Sequence, residues 1–227
     1  MNQRGKVFAG LNQMYRPIGL WFWCTLIVGV AVADVIIETV ADPGFSLWLA
    51  VAGSAAKYWL GVVGVLLIST NLRYFVAGGI TRRDFLAGSA RFGLVASLLF
   101  AVIVPVGHGV EAGLRGLNGP LPADYPHFSV SVALGEFAHQ LPSCLAFLVA
   151  GAAVTAGFYR FGAWRGLALL VPALLPVAFA EVLLGIDDAG ELGSRFVPVA
   201  VAVLLTLVVT ALVVLLGQRT LRHTAIR

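Results

Sequence analysis

Residues 196–217 read FVPVAVAVLLTLVVTALVVLLG, a run without a single ionisable side chain. A helix of about 20 mainly apolar residues covers the hydrocarbon core of a bilayer, so this stretch reads as a membrane span. Five further stretches have the same character: 17–40, 55–77, 92–111, 137–159 and 166–186. The composition agrees along the whole chain. Of 227 residues, 59% are apolar and 11% are Asp, Glu, Lys or Arg, against about 25% charged in a typical soluble domain. So few charges cannot cover a water-facing surface, which excludes a soluble globular protein. The expected fold is all-α: a single polytopic transmembrane domain over 1–227 with six transmembrane helices. Cys24 and Cys144 both lie in apolar runs and form no disulfide framework and no CxxC motif.

Orientation follows from Lys and Arg in the short connections. With both termini cytoplasmic, the inner side holds Arg4, Lys6, Arg16, Arg73, Arg82, Arg83, Arg91, Arg160, Arg165, Arg219, Arg222 and Arg227. Only Lys57, Arg115 and Arg195 of the 15 basic residues then fall outside. The acids divide the other way, with Asp84 inside and the remaining 10 of 11 outside. The net charge of +4 is thus the difference between two oppositely charged faces.

Residues 4–16 precede the first span. Val7, Phe8, Leu11, Met14 and Tyr15 recur at helical spacing among Arg4, Asn12, Gln13 and Arg16. That pattern predicts an amphipathic helix on the cytoplasmic membrane surface, serving either as an anchor or as a mechanical element. The stretch 45–56, ahead of the second span, is open between a re-entrant and an interfacial segment. Trp21, Trp23, Tyr58 and Trp59 read as interfacial anchors. Phe22, Phe92, Phe100, Phe147 and Phe158 read either as a binding path or as plain core. Pro172 and Pro176 suggest either a break in the fifth span or kinks tolerated in an ordinary bundle.

An ionisable residue within a membrane is costly and is a functional candidate by default. Asp34, Glu38 and Asp42 form an i, i+4, i+8 stripe at the outer end of span one. His108 and Glu111 close span three, Glu136, His139 and Gln140 open span four, and Glu181 lies near the outer end of span five. Three readings stand: wetted groups at headgroup level, an acidic exit for cationic or amphipathic substrates, or a metal site. The last rests on the mirrored i, i+3 pairs His108/Glu111 and Glu136/His139, a spacing that metal-binding bundles use. No metal ligand set is assigned.

Between spans two and three the chain reads STNLRYFVAGGITRRDFLAG over 69–88. Gly78 and Gly79 end a helix, and Thr81 with Asp84 three residues on resembles a capping box. A short polar helix carrying Arg82, Arg83 and Asp84 is therefore expected at the cytoplasmic surface. An ordinary positively charged loop is the competing reading.

The run Asn71-Leu-Arg-Tyr-Phe, followed by Gly79-Ile-Thr-Arg-Arg-Asp-Phe, resembles permease subunits of bacterial type-2 ATP-binding-cassette (ABC) exporters, in the small actinobacterial-like form. The match extends over about 45 residues, from Ser69 to Glu111. The resemblance implies that Gly79, Thr81, Arg82, Arg83, Asp84 and Phe85 form a coupling helix docking on an ATPase subunit. It also implies a substrate path, matches the glutamate Glu111 at the outer end of span three, and makes 176–195 a candidate re-entrant element between spans five and six. Where the outer acids are read as an exit, the site on that path holds Asp34, Glu38, His108, Glu111, Glu136, His139 and Glu181. Implied partners are two copies of an ABC ATPase subunit, a second permease copy or a paralogue, the lipid bilayer and a small amphipathic substrate; no nucleic-acid partner is expected. The implied location is the cell inner (cytoplasmic) membrane. No cofactor is expected in this chain, ATP and Mg being held by the ATPase.

The chain has no G-x-x-x-x-G-K-[ST] loop, H-E-x-x-H or G-x-S-x-G motif. It is therefore read as non-catalytic. The alternatives are an ATP-independent carrier, coupled to protons or metal through the outer acid and His cluster, and a membrane anchor subunit.

Overall fold

A computed structural model describes residues 2–40, 44–184 and 196–222. The described residues form helices and short connections: α1 (Gln3–Val40), α2 (Leu47–Leu66), a π-helical turn (Leu67–Asn71), α3 (Leu72–Ala77), α4 (Arg82–Asn118), α5 (Val130–Ala168), α6 (Leu170–Leu183) and α7 (Val199–Arg222). Five helical stretches are long and apolar enough to cross a membrane: Gln3–Val40, Leu47–Ala77, Arg82–Leu117, Val130–Ala168 and Val199–Arg219. The protein is a multi-pass helical membrane protein. Asp42, Arg195, Arg227 and most of the 176–195 re-entrant candidate lie outside the described residues.

The surface helix expected over 4–16 is not a separate element. α1 runs unbroken through Pro17 for 38 residues, about 57 Å at 1.5 Å per residue. Its apolar stripe faces protein rather than lipid. Val7 and Leu11 are fully buried, and Tyr15 nearly so, in a cluster with Leu67, Ile68, Leu72, Phe75, Phe85 and Phe92. Gly88 provides the fit, since a Cβ there would stand 2.6 Å from Val7.

The second span begins at Leu47, not at 55, and no re-entrant segment occurs over 45–56. Ser46 starts it as an N-cap, accepting a hydrogen bond from the Leu49 backbone N–H at 3.2 Å. The π-helical turn then inserts a residue into the ladder. It places Asn71 where its Nδ2 donates to the Tyr15 hydroxyl at 2.7 Å, both groups buried.

α5 lies against α2, α4, α6 and α7 and is the centre of the bundle. Apolar helices in lipid associate through close packing at small residues, and α2 meets α5 in this way. A Cβ on Gly64 would lie 2.0 Å from the Leu148 carbonyl, and one on Gly151 2.2 Å from the Gly61 carbonyl. Gly162 interrupts α5 with φ 74° and ψ −171°, and a turn at Leu169 separates it from α6. The break expected between Pro172 and Pro176 is absent, because α6 runs through both. Pro172 falls in its first turn, where a missing N–H leaves no bond unmade.

Two of the four expected interfacial anchors pack against other aromatic rings of the bundle. Trp23 is buried against Phe100, with ring centroids 5.0 Å apart. Trp59 stacks on Phe22 at 4.8 Å. Trp21 and Tyr58 are exposed.

Candidate functional site

Ionisable side chains gather at two opposite ends of the bundle. The basic end is formed by the start of α1 and the α3–α4 turn. The acidic end is formed by the end of α1, the start of α2, the end of α4, the connection 119–129 and the start of α5.

At the basic end, Gly78 closes α3 and Gly79 turns the chain with φ +83°, a conformation glycine adopts without strain. Thr81 then caps α4, its hydroxyl accepting the Asp84 backbone N–H at 3.2 Å. The Thr81 hydroxyl also donates to the Asp84 carboxylate at 2.8 Å, which in turn accepts from Arg4 Nε at 2.9 Å. The capping arrangement read from the sequence is present, but the separate short helix is not. Arg82–Asn118 is one 37-residue helix, so residues 82–90 are the first turns of a span. Phe85 also differs from its expected role. It is completely buried, 5.7 Å ring to ring from Phe75, and so supports the turn from behind instead of facing a partner. Gly79, Thr81 and Arg83 are exposed, and Arg82 is half-buried.

At the acidic end Asp34, Glu38 and Glu111 gather around one cation of the same chain. Arg115, nearly buried, pairs with Asp34, lies 3.3 Å from Glu38 and 3.7 Å from Glu111, and sits over the Tyr125 ring. Glu111 also accepts from the Ser46 hydroxyl, from the Trp48 backbone N–H at 3.3 Å and from the Tyr125 hydroxyl at 3.1 Å. Burial and the adjacent Glu111 charge raise the Tyr125 phenol above its ordinary pKa.

Deeper in the bundle, His108 Nδ1 and Glu136 Oε1 are 2.6 Å apart, with both side chains buried. The other atoms of that pair, Nε2 and Oε2, have no hydrogen-bond partner among the described residues. His139 Nε2–H donates to the Leu184 carbonyl, and Gln140 Nε2 donates to the Gly53 carbonyl at 2.8 Å. Lys57 bonds Glu181 at 2.5 Å across α2 and α6. Because α2 begins at Leu47, Lys57 lies ten residues, about 15 Å, along the helix, and not at the outer end of a span starting at 55. An isolated lysine at that depth is costly, and the Glu181 partner offsets the cost.

Of the expected outer residues, Asp34, Glu38 and Glu111 come together around Arg115, His108 joins Glu136, and His139 and Glu181 stand apart from both. The mirrored pairs His108/Glu111 and Glu136/His139 do not converge. No group of three or more His, Cys, Asp or Glu placed to hold a metal ion occurs among the described residues. Arg115, Ser46 and Tyr125 were not among the expected site residues. Arg115 lies four residues beyond Glu111, a helical pairing distance visible in the sequence; Ser46 and Tyr125 reach Glu111 only through the fold.

A cavity of about 430 Å³ opens between α1, α2 and α4. Trp23, Leu60, Val63, Phe92 and Phe100 form its buried floor, and Leu20, Ile27, Val95 and Leu99 its exposed rim. Comparison with protein-family models, curated proteins and solved structures yields no match.

Proposed function

We propose that the chain is the transmembrane subunit of an ABC exporter, lining a substrate path and driven by a separate ATPase subunit that supplies ATP and Mg. The carrying observation is the buttressed turn at the basic end. Its exposed Gly79, Thr81 and Arg83 are fixed by the Thr81 cap, the Arg4–Asp84 ion pair and the buried Phe85. A stiff turn continuous with a 37-residue helix carries a push from a docked partner directly along a span. Residues 82–85 thus act as the coupling segment without forming an independent helix. The charge asymmetry favours placing this end in the cytoplasm of a cell's inner membrane. α6, 14 residues and about 21 Å at helical rise, together with the helical stretch between the Gly162 break and the Leu169 turn, supplies the sixth crossing in this reading. Two such chains, identical or paralogous, pair with two ATPase subunits.

Co-purification with an ATPase bearing a G-x-x-x-x-G-K-[ST] loop tests the proposal. The wild-type chain retains that subunit and the R82E/R83E double variant loses it. Equal retention by both, or no such ATPase with the wild type, refutes it.

The buried His108–Glu136 pair and the deep Lys57–Glu181 pair favour one other reading, an ATP-independent carrier. Transport in vesicles that follows an imposed proton gradient and needs no ATP would establish that reading instead.

A further inference from the structure

We propose that the cavity between α1, α2 and α4 is a binding site for an anionic membrane lipid, seated with its headgroup at Arg16 and one acyl chain along the cleft. The cleft is bounded on α1 by residues from Asn12 to Ile27 and on α4 by residues from Phe92 to Ile103. From Arg16 to Ile27 is 11 residues, about 16 Å at helical rise. That is half of the roughly 30 Å hydrocarbon core, the depth of one leaflet. The floor is aromatic and aliphatic. The exposed rim residues Leu20 and Ile27 on α1, and Val95 and Leu99 on α4, leave the cleft open sideways to the membrane. A ligand of matching chemistry is therefore long, apolar and drawn from the bilayer itself.

The headgroup is selected at one end. Among the described residues Arg16 is the one charged side chain lining the cavity, beside the polar Asn12 and the Tyr15 ring. Nearly all the acids of the described residues lie at the opposite end of the bundle, and Asp84, the exception, is occupied by Arg4. Arg16 forms no ion pair among the described residues. A cation at the mouth of an apolar cleft, next to the expected start of the first span, complements a headgroup of net negative charge better than a zwitterionic one, whose phosphate is offset by its own cation. The site stands apart from the ATPase-docking turn and does not depend on the exporter reading.

Tryptophan quenching by brominated lipids tests the proposal, because Trp23 and Trp59 line the cleft. A background lacking Trp21, Trp48 and Trp164 keeps only these two indoles. It is reconstituted in nanodiscs at a low mole fraction of brominated phosphatidylglycerol or brominated phosphatidylcholine. The anionic lipid should quench at about a fivefold lower mole fraction, the factor that one interfacial basic residue supplies. R16Q should abolish that preference and R16K restore it. G19L, at a cavity-lining glycine with open space at its Cβ position, should weaken quenching by both lipids. Equal quenching by the two lipids, or a preference surviving in R16Q, overturns the proposal. So does the absence of quenching by either, which would mean that a second copy or another protein covers the cleft.

Discussion

Replacing Arg115 with methionine tests the reading of the acidic end as an internally neutralised network. The Arg115 side chain is 7% exposed, and the carboxylates of Glu111 and Asp34 beside it are 9% and 18% exposed. Removing one partner of a buried ion pair costs about 3–5 kcal/mol, because the other charge stays desolvated. Glu111 keeps its hydrogen bonds from Ser46, Trp48 and Tyr125, and Asp34 retains some contact with solvent. The low end applies, about 3 kcal/mol, or roughly a hundredfold in the folding equilibrium. Glu38 is 38% exposed, so E38Q should change stability by less than about 1 kcal/mol. Combining R115M with D34N and E111Q removes the stranded charges and should recover most of the loss. Denaturant unfolding in detergent, followed by tryptophan fluorescence, measures all four proteins. An R115M variant within about 1 kcal/mol of wild type, or a triple variant no better than the single one, refutes the network.

Other perturbations probe separate parts of the fold. G64A should destabilise by about 1–3 kcal/mol, since its Cβ would meet the Leu148 carbonyl at 2.0 Å. G61A, where the nearest atom is an ordinary 3.6 Å away, should be neutral or slightly stabilising; thermal unfolding of the pair distinguishes the two positions. T81A removes the α4 cap and should cost about 1 kcal/mol, read by the same melts and by faster hydrogen exchange at Asp84. Tyr125 titrates from a neutral to a charged form, and its folded pKa is raised. Its contribution is therefore complete below the ordinary tyrosine pKa of about 10 and declines as pH climbs from there toward the folded value. Y125F should flatten that part of the alkaline decline in a stability-against-pH profile.

Local signals in the sequence correspond closely to the structure. Gly78-Gly79 followed by Thr81 and Asp84 marks a helix end and a cap, and both are found. The stripe Val7, Leu11, Tyr15 is correctly helical and apolar, but periodicity gives the face and not its occupant. In a membrane protein that occupant is either lipid or another helix, and Phe85 and Leu72 supply the answer only after folding. Lys57 falls near the outer end of the second span expected over 55–77, whereas α2 begins at Leu47 and carries it further along the helix. Its partner Glu181 stands 124 residues away, beyond any local pattern. The i, i+3 spacing of His108/Glu111 and Glu136/His139 offered a metal site shared by both pairs, whereas only His108 and Glu136 meet across the helices. Such choices between helices are settled by packing at residues like Gly107, whose missing Cβ admits the Trp48 indole.

Site-specific photocrosslinking tests the central claim most directly. A photoreactive residue at position 83, on the exposed turn, should give an ATP-dependent adduct with an ATPase carrying a phosphate-binding loop. One at position 116, at the acidic end, should give none. No ATPase adduct from position 83, or an equal adduct from position 116, would contradict an ATPase-driven subunit with its basic end as the docking face.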